Sequence, residues 1–99
     1  MRNHNLAFVD IETTGLDVLE HEIIEIGCVL TTPDLEVIEE FELKIKPEHI
    51  ENANPVSLKV NHYKEEDWVD ALPLEEAMQI FAEKVKGCIL GLLNMLFQN

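Results

Sequence analysis

Leu6-Ala7-Phe8-Val9-Asp10-Ile11-Glu12-Thr13-Thr14-Gly15-Leu16 is the stretch that decides how this chain folds. Its first seven residues are apolar strand formers, and they end in a Thr-Thr-Gly turn signal. Apolar side chains occupy both parities, which predicts a strand buried on both faces, as a central strand is. Two acids interrupt it. Side chains two positions apart on a strand share a face, so Asp10 and Glu12 are expected side by side, roughly 7 Å apart. Two carboxylates on a buried strand are costly unless something positive neutralises them. A hard divalent cation does so, because carboxylate oxygens are the ligands that magnesium prefers. The Thr-Thr-Gly turn is then expected to present N–H groups and hydroxyls beside the pair, where an anion held by the metal would lie. The competing reading is a frayed strand end with both acids simply solvated.

Outward from this strand, Glu22 to Leu30 reads as a second strand and Glu36 to Ile45 as a third, stopped by Pro47. The turn cluster Thr31-Thr32-Pro33-Asp34 between them is short, so the two form an antiparallel hairpin. Asn54-Pro55 is a cap followed by proline at the first helical position, opening a short helix through Val60. A further turn is expected at Lys64 to Val69. Pro73 opens the long helix, with Leu74, Ala77, Met78, Phe81 and Val85 at helical spacing on one face and Gly87 as its stop. Cys88 to Leu93 is open between a fourth strand and a helix. The fold class is α/β: a three-stranded antiparallel meander, a long helix and this undecided segment. Without repeats or linkers, residues 1–99 read as one domain or part of one.

A chain of 99 residues carrying a formal charge of −13 is a poor candidate for a basic nucleic-acid coat or an anionic-membrane binder. The charge leaves a nuclease open, since metal ions supply positive charge that side chains lack. No signal peptide stands out, and the apolar run Cys88 to Leu93 is far shorter than the roughly 20 residues a membrane helix needs. Cys28 and Cys88 sit in apolar surroundings without metal-ligand spacing, as reduced core thiols of a cytoplasmic protein do.

Asp-x-Glu-Thr-Thr-Gly-Leu after an apolar strand resembles the first motif of the DEDD exonucleases, the RNase H-like 3′-to-5′ exonucleases that include the proofreading subunit of bacterial DNA polymerase III and RNase T. Ile23-Ile24-Glu25-Ile26-Gly27 is similar to that family's second strand and Ile45-Lys46-Pro47 to the end of its third. Pro55-Val56-Ser57-Leu58-Lys59-Val60-Asn61 is similar to the segment before its long helix. The resemblance implies the N-terminal portion of an RNase H-like fold. It also implies release of nucleoside 5′-monophosphates from a 3′ end of single-stranded DNA or RNA by a two-metal mechanism using Mg²⁺ or Mn²⁺. By the same resemblance, Asp10 and Glu12 are the catalytic metal ligands. The backbone of Thr13, Thr14, Gly15 and Leu16 holds the terminal nucleotide, Leu16 wedges against its base, and Val60 and Asn61 touch the substrate end.

The sequence also departs from the family. Its second motif reads Gly-x-His-Asn-x-x-Phe-Asp, and here Gly91, Asn94 and Phe97 fit the register while Leu93 replaces the histidine and Gln98 the aspartate. An amide oxygen is a weaker magnesium ligand than a carboxylate. No third motif, with its base and fourth acid, follows in these 99 residues. The chain alone is therefore expected to be inactive or nearly so. The alternative is a non-catalytic remnant that binds nucleic-acid ends or a protein, and a third reading is an acidic domain with neither role. His62 to Asp67 has the His-x4-Asp spacing of the missing motif, but in the wrong place along the chain, and reads as solvated loop. His4, His21 and His49 read as surface histidines, Glu25 as a solvent-side strand residue and Trp68 as packing. An incomplete fold of this kind leaves an apolar sheet face uncovered, and self-association through it is expected.

Overall fold

The structure, a computed structural model, describes residues 3–92. Four strands form one sheet in the order β3-β2-β1-β4, with β1 at Leu6–Thr13, β2 at Ile23–Thr31, β3 at Val37–Lys44 and β4 at Ile89–Leu92. β1 is interior, as its two-sided apolar pattern requires. It pairs antiparallel with β2 and parallel with β4, and β2 pairs antiparallel with β3. The segment left open between strand and helix is a strand at Ile89–Leu92; Leu93, Asn94, Phe97 and Gln98 of the degenerate second motif lie outside the described residues.

Local chemistry sets the connections. Between β2 and β3, the Thr32 hydroxyl accepts from the N–H of Asp34 and Glu36, and Leu35 takes a left-handed φ of 70°. Asn54 caps α1, Pro55–Val60, by accepting from the Val56 N–H at 2.9 Å, as its Asn-Pro signature predicts. Two 3₁₀ turns flank α1, at Ile50–Asn52 and Glu65–Trp68. The long helix α2 spans Leu74–Lys84, and Gly87 follows it at φ 79°, a left-handed conformation that glycine adopts without strain.

Pleat alternation divides the sheet. Ala7 and Val9 of β1, Ile26, Cys28 and Leu30 of β2, and Leu43 of β3 form the core with Ile45 and with Ala77 and Val85 from the α2 region. Ile80 and Phe81 pack against this cluster, whereas Leu74 and Met78 are exposed. The buried stripe of the helix is thus shifted from the expected one, centred on Ala77 and flanked by Ile80 and Phe81. Cys28 is buried, Cys88 half-buried, and both are free thiols.

Cross-strand partners share a face, so the opposite side carries Phe8, Asp10 and Glu12 with Glu25, Gly27, Val29, Glu40, Glu42 and Lys44. The expected apolar face is therefore interrupted by acids, its apolar members being the half-buried Leu6, Phe8, Val29 and Ile89. The chain leaves β3 through Ile45, which bridges Leu72 in parallel, and returns at that point: Lys46 N–H donates to the Leu72 carbonyl and Leu72 N–H to that of Lys44. The intervening excursion carries α1. Trp68 anchors it, buried, donating from Nε1 to the Ile24 carbonyl at 2.9 Å while the Lys44 ammonium lies 4.7 Å above its ring. No helix among the described residues is long and apolar enough to cross a membrane.

Candidate functional site

The two acids of β1 do share a face, and both are half-buried. Asp10 stands opposite Gly27 and Glu12 opposite Glu25. Glycine at this cross-strand position leaves the space beside Asp10 open; a Cβ there would meet nothing closer than the Asp10 carbonyl at 3.9 Å. Asp10, Glu12, Glu25 and Glu42 line one cleft of about 350 Å³ together with Val60, Asn61 and His62 from the excursion. Burial pushes the Glu12 carboxyl above the ordinary glutamate range, Asp10 and Glu25 push it further, and His62 opposes them. Burial also raises Glu25, with Glu42 adding to the shift and Lys44, 3.5 Å away, opposing it. Glu25 is thus part of the acid wall rather than a residue facing bulk water.

Such crowding is relieved by a cation. Among the described residues, no three Asp, Glu, His or Cys side chains converge on one point. Asp10 and Glu12, on one face and in one cleft, are the two acids that would supply oxygen donors to a hard divalent ion.

Immediately after Glu12 the β1–β2 register shifts, and the chain turns. The Thr13 hydroxyl donates to the Gly15 carbonyl and accepts from the Gly15 N–H. Thr14, 1% exposed, is held from both sides by Glu22: its N–H donates to the Glu22 carbonyl and its hydroxyl accepts from the Glu22 N–H. The N–H groups of Thr14 and Gly15 and both threonine hydroxyls are therefore engaged within the turn, which corrects the expectation that they lie open for an anion. Gly15 packs against the His21 ring so closely that a Cβ would collide with it. Nδ1 of that ring accepts from the Asp17 N–H at 2.9 Å. His21 is accordingly half-buried and structural, not a free surface histidine.

A second cleft, of about 330 Å³, adjoins the first at Glu12, Val60 and Asn61 and is completed by Ile11, Thr13, Leu16, Val56 and Ser57. The turn and the excursion are joined across it: Asn61 Nδ2 donates to the Thr13 carbonyl at 2.8 Å, and Asn54 N–H to that of Thr14 at 2.7 Å. Leu16 projects at its rim, 94% exposed. Of the residues expected at a nucleotide, Thr13, Leu16, Val60 and Asn61 come together here. Thr14 is interior to the turn, and Gly15 faces a different hollow beside His21. The arrangement is an acid cleft suited to a cation, continuous with a mainly apolar cleft suited to a base or sugar.

The sequence reads His62 as part of a solvated loop and Glu25 as a solvent-side strand residue and gives Gly27 no place at the site, whereas the structure brings all three to the acid cleft. Glu25 and Gly27 enter through cross-strand register, which no single strand reveals. The parity shared by Glu25 and Gly27 was the one available signal. His62 enters through the path of the excursion.

The exonuclease family RNase_T matches residues 7–96. An oligoribonuclease of Francisella tularensis subsp. novicida is 50% identical over 38 residues, 38% of this chain and 21% of the relative. The match thus spans about a fifth of that relative's length. The fold is similar to that of an exonuclease I from Methylocaldum szegediense, with a TM-score of 0.80 and 21% identity over 92% of this chain and 20% of the other. It is also similar to the nuclease domain of 3′hExo, a DEDDh family member solved bound to rAMP, with a TM-score of 0.69 and 22% identity over 91% of this chain and 50% of that one.

Proposed function

Because the chain belongs to the RNase_T exonuclease family, we propose that its paired clefts receive the 3′-terminal nucleotide of single-stranded DNA or RNA beside a divalent cation, Mg²⁺ or Mn²⁺. The observation that carries the reading is the placement of Asp10 and Glu12 on one wall of a cleft that continues into the one formed by Thr13, Leu16, Val60 and Asn61. Asp10 and Glu12 hold the cation; the metal ions of such a site polarise the scissile phosphate and the attacking water. Leu16 and Val60 offer apolar contact to the terminal base and sugar. Asn61, tied to the Thr13 carbonyl, fixes the spacing between the acid strand and this apolar wall. Since positive charge comes with the ion, a net charge of −13 does not prevent binding to a nucleic-acid end.

The family's hydrolysis uses four acids, and residues 3–92 supply two at its motif positions. Losing ligands from a two-metal centre removes several kcal/mol of transition-state stabilisation, so these 99 residues alone are proposed to bind far better than they cleave. The test pairs fluorescence anisotropy of a short single-stranded oligonucleotide with product analysis of the same mixtures, in Mg²⁺ and in chelator. Mg²⁺-dependent binding that weakens at least tenfold in Asp10→Asn is the expected result, with little cleavage. Binding indifferent to both Mg²⁺ and Asp10→Asn overturns the assignment. Rapid degradation abolished by Asp10→Asn overturns only the claim of weak turnover.

A further inference from the structure

The acid cleft presents a difficulty for a phosphate: Asp10, Glu12, Glu25 and Glu42 all line it, and an approaching anion is repelled wherever the cation does not reach. Two lining side chains can donate hydrogen bonds, Asn61 and His62. One of the two Asn61 Nδ2–H groups is committed to the Thr13 carbonyl, which ties that side chain to the turn. The His62 ring makes no hydrogen bond among the described residues, and it lines the same cleft as Asp10 and Glu12. His62 also holds a left-handed φ of 57°, a conformation that glycine adopts freely and that costs a histidine energy. That φ belongs to the C-terminal cap of α1, where the His62 N–H donates to the Lys59 carbonyl and the Tyr63 N–H to the Leu58 carbonyl, and it sets the direction in which the chain carries the imidazole into the cleft.

We propose that His62 is a substrate-contacting residue, its imidazole N–H donating to the phosphate of the nucleotide seated against Asp10 and Glu12. The inference rests on the function proposed above. An imidazole carries at least one N–H in either protonation state, so the contact does not depend on its charge. The position favours this use. His62 directly follows Asn61, whose side chain is pinned to the acid turn, so the imidazole is carried on backbone fixed relative to Glu12. Trp68, buried and bonded to Ile24, fixes the other side of the same excursion.

The test measures binding of adenosine 5′-monophosphate and of adenosine, each with Mg²⁺, to the 99-residue chain and to three variants, alongside urea unfolding. His62→Gly is expected to raise the urea midpoint by relieving φ strain while weakening the monophosphate about tenfold, one hydrogen bond's worth, and leaving adenosine unchanged. His62→Asn, which tolerates the same φ and keeps a side-chain N–H, is expected to recover most of the lost affinity. Equal weakening of both ligands, or no weakening, overturns the contact. Monophosphate binding lost in Asp10→Asn but intact in His62→Gly overturns this inference alone. Absence of Mg²⁺-dependent binding to the parent chain overturns it together with the reading on which it rests.

Discussion

At the scale of single residues, the site sets charge against stability. Glu12 has a carboxyl pKa raised by burial and by Asp10 and Glu25. A raised folded pKa means that the folded state takes up protons more readily than the unfolded one. Its stabilising contribution is full below the unfolded value of 4.5 and is lost as pH rises through the folded value. Glu12→Gln is therefore expected to raise the melting temperature at pH 7 by a few degrees at most, given solvent screening, and to leave it unchanged below pH 4. Melting curves at the two pH values check the sign, and Mg²⁺ should stabilise the parent but not this variant. Gly15 has the opposite role, making room rather than charge. Gly15→Ala drives a methyl group into the His21 ring, and overpacking of this kind costs about 1–3 kcal/mol. In the His21→Ala background the same change should cost distinctly less, and a double-mutant cycle reads the difference. The acid pair was legible in the sequence because a strand's period of two needs no partner to be read. The His21–Gly15 contact was not, since it closes only when the turn folds back.

At the scale of elements, the decisive piece is the excursion between β3 and α2. Its Asn-Pro cap was readable, and α1 begins at Pro55 as that signature predicts. Removing the cap with Asn54→Ala should cost about 1 kcal/mol, seen in urea unfolding. Part of the loss should appear as weaker nucleotide binding, because Val60 and Asn61 lie on and just after this helix. The face of α2 was less legible. Leu74 and Met78 keep helical spacing yet remain exposed, while Ile80, outside the expected stripe, packs on the core. Spacing alone leaves open which edge of an apolar stripe is covered, and here the buried centre is Ala77. The strand character of Ile89–Leu92 was undecided for a related reason: leucine suits either state, and pairing with β1 is a tertiary choice.

At the scale of the whole molecule, the order of strands and helices was legible, and the uncovered sheet face was not. Acids at Glu40 and Glu42 of β3 join those of β1 and β2 on that face, so its apolar part contracts to Leu6, Phe8, Val29 and Ile89. Association through it is opposed by a net charge of −13 and should grow with ionic strength as repulsion is screened over a Debye length of about 10 Å at 0.1 M. Sedimentation velocity at low and high salt distinguishes this from an apolar interface, which forms at both. The neck formed by Ile45, Lys46 and Leu72 has a wider consequence. A segment that departs and rejoins at one place can be exchanged as a unit provided that its replacement keeps donors to the Ile24, Thr13 and Thr14 carbonyls, as Trp68, Asn61 and Asn54 do here. Transplanting the corresponding segment from another member of the family onto this neck would exchange Val60, Asn61 and His62 while leaving Asp10 and Glu12 in place. The acid wall and the wall that faces it thus belong to separate stretches of chain that meet across one cleft.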